Sequence, residues 1–234
     1  MKVFLLAAAL LLGFAVSDIE VASFSAMTPG GPVEGFETLS LGDADETAYA
    51  LVDDGGTTVV EANASNSASG LIRRVDINPA EMPVLSWRWK VDNLLEKGNV
   101  RRKSGDDYPA RIYVTFDLDP SELGFGDRIK YRALKLLGYD DIPVRALNYI
   151  WANNADETEI VANPYTDWVQ MVPVQSGADG LGEWQSESRN VLEDYRQAFD
   201  EEPPAINGIA IMTDADNTGE SARAYYGDIR MSAR

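Results

Sequence analysis

Apolar and polar residues alternate along most of this chain in short runs separated by Gly, Asp, Asn and Ser. Residues 47–52 and 57–62 flank Asp53-Asp54-Gly55-Gly56, a tetrad suited to a hairpin turn. Similar runs recur at 70–77, 83–91, 110–116, 146–151, 158–161, 168–174, 206–212 and 222–231. Period-two patterning with polar turns predicts an all-β fold, an antiparallel jelly-roll-like β-sandwich, rather than βαβ units. Two segments carry a helical period instead. Residues 125–137 place Ile129, Leu134, Leu136 and Leu137 within one stretch, and residues 190–199 space Val191, Leu192, Tyr195 and Phe199 ahead of Pro203-Pro204. They read as short helices in connections over the sandwich. No repeat, low-complexity tail or dividing linker interrupts the pattern, so residues 36–234 are expected to form one domain after a Gly/Pro-rich lead at 18–35.

The N-terminus breaks the alternation. Lys2, the apolar run 4–16 and the small residues Ala15 and Ser17 match a signal peptide over 1–17, cut after Ser17. The run is short for a membrane span, which needs about 20 apolar residues, and no later stretch approaches that length. The expected address is therefore exported, periplasmic or extracellular.

Composition narrows the chemistry. The 234 residues hold 20 Lys+Arg against 38 Asp+Glu, a net charge of −18, with 45% hydrophobic residues, enough for a core. Such charge repels nucleic acid, whose binding needs clustered cations. Cysteine and histidine are both absent. That removes disulfides, thiol nucleophiles, Ser-His-Asp triads and the usual zinc sites. Carboxylates, Lys and Tyr remain for proton transfer.

Several segments carry candidate site residues. In the run 85–91, alternation sets Leu85, Trp87, Trp89 and Val91 against Ser86, Arg88 and Lys90. In 110–117 it sets Arg111, Tyr113, Thr115 and Asp117 against Ile112, Val114 and Phe116. Were the two strands neighbours, Arg88, Lys90, Arg111 and Asp117 would share one concave face; a solvated face with cross-strand ion pairs is the plainer alternative. Between them, Arg101-Arg102-Lys103 and Asp106-Asp107 suit either a clamp for a hydroxylated or anionic ligand or a self-neutralising turn. Asn148 and Trp151, with Tyr165 and Trp168, offer amides and rings of the kind a sugar needs, although such rings also build cores. Asp214 and Asp216 before Gly219 resemble half of a calcium loop, so a structural calcium is an option beside a polar turn; no other cofactor is implied. For a carboxylate-based enzyme, Asp106, Asp107 and Asp117 are the candidates, but spacing along the chain gives no distance between them.

The segments Ser86-Trp-Arg-Trp-Lys90, 103–116 (KSGDDYPARIYVTF), Leu147-Asn-Tyr-Ile-Trp151, Asn163-Pro-Tyr-Thr-Asp167, 212–219 (MTDADNTG) and Tyr226-Gly-Asp-Ile229 together resemble the domain-of-unknown-function family 3047 of exported bacterial proteins. The resemblance spans residues 36–231 and implies no activity. The closing Tyr-Gly-Asp-Ile is also similar to the last strand of galactose-binding-like jelly rolls, which implies a glycan-binding module. The leading expectation is a non-catalytic domain for a carbohydrate or other polyhydroxylated ligand. The alternatives are a carboxylate-based hydrolase or lyase acting on envelope polysaccharide, and an envelope structural or interaction protein.

Overall fold

The computed structural model describes residues 17–136 and 143–234. Residues 1–16 of the expected signal segment, and Leu137, lie outside the described residues. The strands are β1 (Ile19–Ala22), β2 (Glu37–Ser40), β3 (Ala48–Asp54), β4 (Thr57–Ser65), β5 (Ala68–Ile77), β6 (Val84–Val91), β7 (Arg111–Phe116), β8 (Ala146–Ala152), β9 (Val161–Asn163), β10 (Thr166–Ser176), β11 (Gln185–Asn190), β12 (Ile206–Asp214) and β13 (Ser221–Ser232). Two helices, α1 (Phe125–Leu136) and α2 (Val191–Phe199), sit in connections, where the helical periods predicted them.

The strands form a β-sandwich. One sheet runs β11-β6-β13-β4-β3, with β1 also paired to β13; the other runs β2-β5-β12-β7-β8-β10-β9. The pairs are antiparallel except β8 with β10, which is parallel. Three strands escaped the hydrophobic pattern. β1 falls inside the lead, β2 is a short edge strand, and β11 (QSESRN) is a polar edge strand with no apolar face to reveal it. The run at 158–161 is displaced, since pairing begins only at Val161.

Aromatic rings join the two sheets. Trp87 and Trp89 of β6 lie edge to face at 5.3 Å, and across the interior they meet Tyr149 at 5.4 Å and Trp151 at 6.1 Å. Trp151 is thus a fully buried core residue, its indole N–H donating to the Gly177 carbonyl at 3.0 Å, and not a surface ring for a ligand. β8 alternates as expected, yet both of its faces are covered: Tyr149 and Trp151 face the other sheet, while Asn148 and Ile150 lie under a loop. Alternation tells which residues share a face but not whether the face is open.

Consecutive strands also part company. β6 pairs with β11 and β13, whereas β7 pairs with β12 and β8. Arg88 and Lys90 therefore sit on the outer face of one sheet and Arg111 in the other, which overturns the shared concave face. Among the described residues, no helix is long and apolar enough to cross a membrane.

Replacing Trp89 with Ala removes a fully buried ring from the seam between the sheets. The expected loss is about 3–5 kcal/mol of unfolding free energy, measured by equilibrium denaturation.

Candidate functional site

Strand register assembles the site on the outer face of the seven-stranded sheet. One row crosses it as Ile72, Ala210, Tyr113, Asn148 and Met171; a second runs through Arg74, Thr115 and Ala146 beside Gly208. Where these rows cross it, the inner strand β12 contributes the small residues Gly208 and Ala210, with Asn207 and Met212 to either side. A Cβ at Gly208 would come within 2.7 Å of Thr115 Oγ1 and 3.0 Å of Ile72 Cδ1. Gly208 thus lets Thr115 and Ile72 pack closely over the strand, and an open groove of about 350 Å³ floored in part by Ala210 lies between β2 on one side and Tyr131 of α1 on the other.

The groove is mainly apolar, with a few polar groups. Arg74, Tyr113, Thr115 and Asn207 reach it among residues such as Ile72, Val169 and Met212. The Thr115 hydroxyl donates to Asn207 Oδ1 at 2.7 Å. Tyr113 marks the inner end, where its hydroxyl accepts from Arg111 NH1 at 3.0 Å.

Beyond Tyr113 the same face is closed by the segment 95–110. Here Arg111 is only 2% exposed, so its guanidinium must find every acceptor within the protein. Nε donates to Asp214 Oδ1 at 2.8 Å, NH2 donates to Asp214 Oδ2 and to the Asp106 carbonyl, and the guanidinium stacks 4.4 Å from the Tyr108 ring. The carboxylate of Asp214 raises the pKa of Arg111 well above its ordinary value although burial opposes it. Burial pushes the Asp214 carboxyl up, against the pull of Arg111.

Three more carboxylates surround the pair. Asp107 is fully buried and accepts the Asn217 and Thr218 amides at 3.3 and 2.6 Å. Asp106 is 9% exposed; Oδ2 accepts from Asn163 Nδ2 at 2.8 Å, while Oδ1 is buried without a hydrogen-bond partner. Burial raises the Asp106 carboxyl above the usual range, offset in part by Arg111 and Asn163. Asp216 is raised by burial and then by Asp107. Carboxylate oxygens of Asp107, Asp214 and Asp216 lie within 4.8 Å of one another. These are the oxygens that could hold a cation, but Arg111 and two backbone amides already occupy much of their accepting capacity.

The structure thus brings together Asp106, Asp107, Arg111, Tyr113, Asn148, Asp214 and Asp216. Asn148 is fully buried, its Nδ2 3.5 Å from Met171 Sδ. Others are excluded. Asp117 is exposed past the far end of β7, six residues or about 20 Å of strand from Arg111. Arg88 packs 4.5 Å from the Trp184 ring, its stem lying over Gly227, where a Cβ would come within 2.4 Å. Lys90 pairs with Asp54 at 2.9 Å. Arg88 and Asp117 therefore do not join Asp106, Asp107 and Arg111 in one cleft.

Sequence reading missed Arg74, Asn207 and Tyr131, which only register and the fold-back of α1 bring to the groove. Gly208 and Ala210 did carry a signal: small residues inside a strand mark a close approach or a depression.

A family model described as a protein of unknown function (DUF3047) matches residues 34–230. Among curated proteins, none matches the chain. Among solved structures it is similar to a family 11 carbohydrate-binding module of the cellulosomal cellulase Lic26A-Cel5E of Clostridium thermocellum. That likeness has a TM-score of 0.43, 11% identity, and covers 94% of this chain and 96% of that one. It is also similar to a mutant of the family 29 module CBM29-2 complexed with mannohexaose, with a TM-score of 0.40, 13% identity, and 93% and 94% coverage.

The raised Asp106 carboxyl has a measurable consequence. A folded-state value above the unfolded one contributes stability at low pH that is lost as pH rises through the folded value. Asp106→Asn keeps an acceptor for Asn163 and removes the titration. The variant is expected to melt higher than the parent at neutral pH, with the gap closing as pH falls from the raised folded value to the ordinary carboxylate value. A gap independent of pH would contradict the assignment.

Proposed function

The chain belongs to the DUF3047 family of proteins of unknown function, and we propose that it binds a carbohydrate or another polyhydroxylated ligand in the groove of its seven-stranded sheet. The observation that carries this reading is the pairing of an apolar trough with a few fixed polar groups, Arg74, Tyr113, Thr115 and Asn207. A sugar ring offers the same two kinds of surface. Its C–H faces pack on apolar side chains and aromatic rings, and its hydroxyls pair with amides, hydroxyls and guanidinium groups. The groove is open along the sheet, which suits an extended ligand.

Binding without turnover is the reading the side chains support. The chain has no histidine or cysteine. None of Asp106, Asp107, Asp214 or Asp216 lines the groove; they lie in or beside the covering segment, and the first three are held by internal partners. In this role the buried cluster is scaffolding, and it holds Tyr113 at the groove's inner end. Export completes the proposal. A cut after Ser17 leaves β1 intact, since that strand begins at Ile19 and pairs with β13.

Two measurements test this. On a glycan array followed by titration calorimetry, the double change Thr115→Val and Asn207→Ala is expected to weaken binding by about tenfold or more, the scale of one lost hydrogen bond to a desolvated group. Trp184→Ala, on the outer face of the other sheet, is expected to leave binding unchanged; the reverse pattern moves the site to that sheet. Separately, N-terminal sequencing of protein recovered from the envelope or medium should begin at Asp18, and retention of Met1 there would refute cleavage.

A further inference from the structure

We propose that the saccharide received by the groove carries an oxyanion, a carboxylate or a phosphate, and that Arg128 and Arg132 of α1 receive it. This rests on the saccharide reading above and deepens it.

The first observation is a reversal of charge. The chain holds 38 acids against 20 cations, yet residues 125–136 carry Arg128, Lys130, Arg132 and Lys135 against the single acid Asp127. This basic segment forms the helix that supplies one wall of the groove, through Tyr131.

Geometry supplies the second. Arg128 and Arg132 stand one turn apart, on one helix face. They line a cleft of about 190 Å³ with Pro120, Ser121 and Tyr131. Pro120 and Tyr131 line the main groove as well, so the two depressions share a wall. A ligand lying along the sheet can reach both guanidinium groups without leaving the protein surface.

The third concerns ion pairing among the described residues. Arg101, Arg111, Arg145, Arg189, Arg196, Arg223 and Arg230 each pair with an Asp or Glu. Among the described residues, no carboxylate pairs with Arg128 or Arg132. The nearby Asp119 carboxylate instead accepts the Ser121 amide at 2.7 Å. In a chain with so many acids, two adjacent arginines facing a cleft are an available fork for a planar oxyanion, which guanidinium binds through paired N–H donors.

Phe125 and Ile129 on the same helix are 75% and 54% exposed, so an anionic bilayer is the competing partner that the test must separate.

The test uses the full chain on an array of uronate-bearing, phosphorylated and neutral oligosaccharides, with calorimetry on an oligouronate and on its methyl ester. The acidic compound is expected to bind at least about tenfold more tightly than its uncharged counterpart, the value of roughly one charge-assisted contact. The double variant Arg128→Gln, Arg132→Gln should erase that difference while keeping neutral binding and the melting temperature. The array separates carboxylate from phosphate. Equal binding of acidic and neutral compounds, or a difference that survives in the variant, overturns this inference and leaves the groove reading standing. Failure of every saccharide to bind overturns both. Binding to phosphatidylglycerol vesicles that the variant loses, without saccharide binding, assigns the arginines to a membrane surface and overturns the proposal.

Discussion

A guanidinium buried away from water has to satisfy its donors from within, and much of this sandwich is arranged around the one at Arg111. Its carboxylate partner, Asp214, ends β12, and the Asp106 carbonyl that completes the shell belongs to the segment covering the sheet. The same aspartate accepts the Tyr108 amide at 3.0 Å, so the ion pair also fastens the covering segment to the strand beneath. Removing either partner leaves the other charged and buried, a loss typically of about 3–5 kcal/mol. The pair is thus better understood as a registration device than as a source of net stability.

That device divides one sheet face into two environments. On the covered side, polar groups are dehydrated and held by specific partners. On the open side, Gly208 lets Thr115 and Ile72 pack down on the sheet beside the small Ala210, and α1 returns Tyr131 to form a wall. Tyr113 belongs to both, and burial pushes its hydroxyl up to about 12, so it remains a neutral hydrogen-bonding group at any ordinary pH. A rigid cluster behind an open trough holds polar atoms in place before a ligand arrives, which lowers the cost of ordering them on binding.

The opposite sheet shows what the alternating cations of β6 do when no ligand site is built from them. Arg88 and Lys90 flank Trp184 at 4.5 and 5.3 Å, and Lys90 lies 4.3 Å from the Tyr225 ring. Their charge is spent on aromatic faces and on Asp54. Identical patterning in β6 and β7 leads to different fates because the two strands enter different sheets.

Local chemistry along the chain was enough to determine most of the strands, the two helices, the division of those strands into two faces and the absence of histidine and thiol chemistry, while β1, β2 and the polar β11 left no such trace. These follow from side-chain periodicity and composition, which are properties of short segments. The loop 101–109, Asn148 and the Asp214 segment were legible as chemistry-bearing, and tertiary structure gathered them at one place. What only the tertiary structure decided was which strands pair and which faces are covered. Trp151 became core because a second sheet stands opposite it, Asp117 was stranded by the length of β7, and Arg74, Asn207 and Tyr131 met at the groove through register across the sheet and the return of α1. Those outcomes depend on contacts between residues far apart in sequence, and no period within a single strand encodes them.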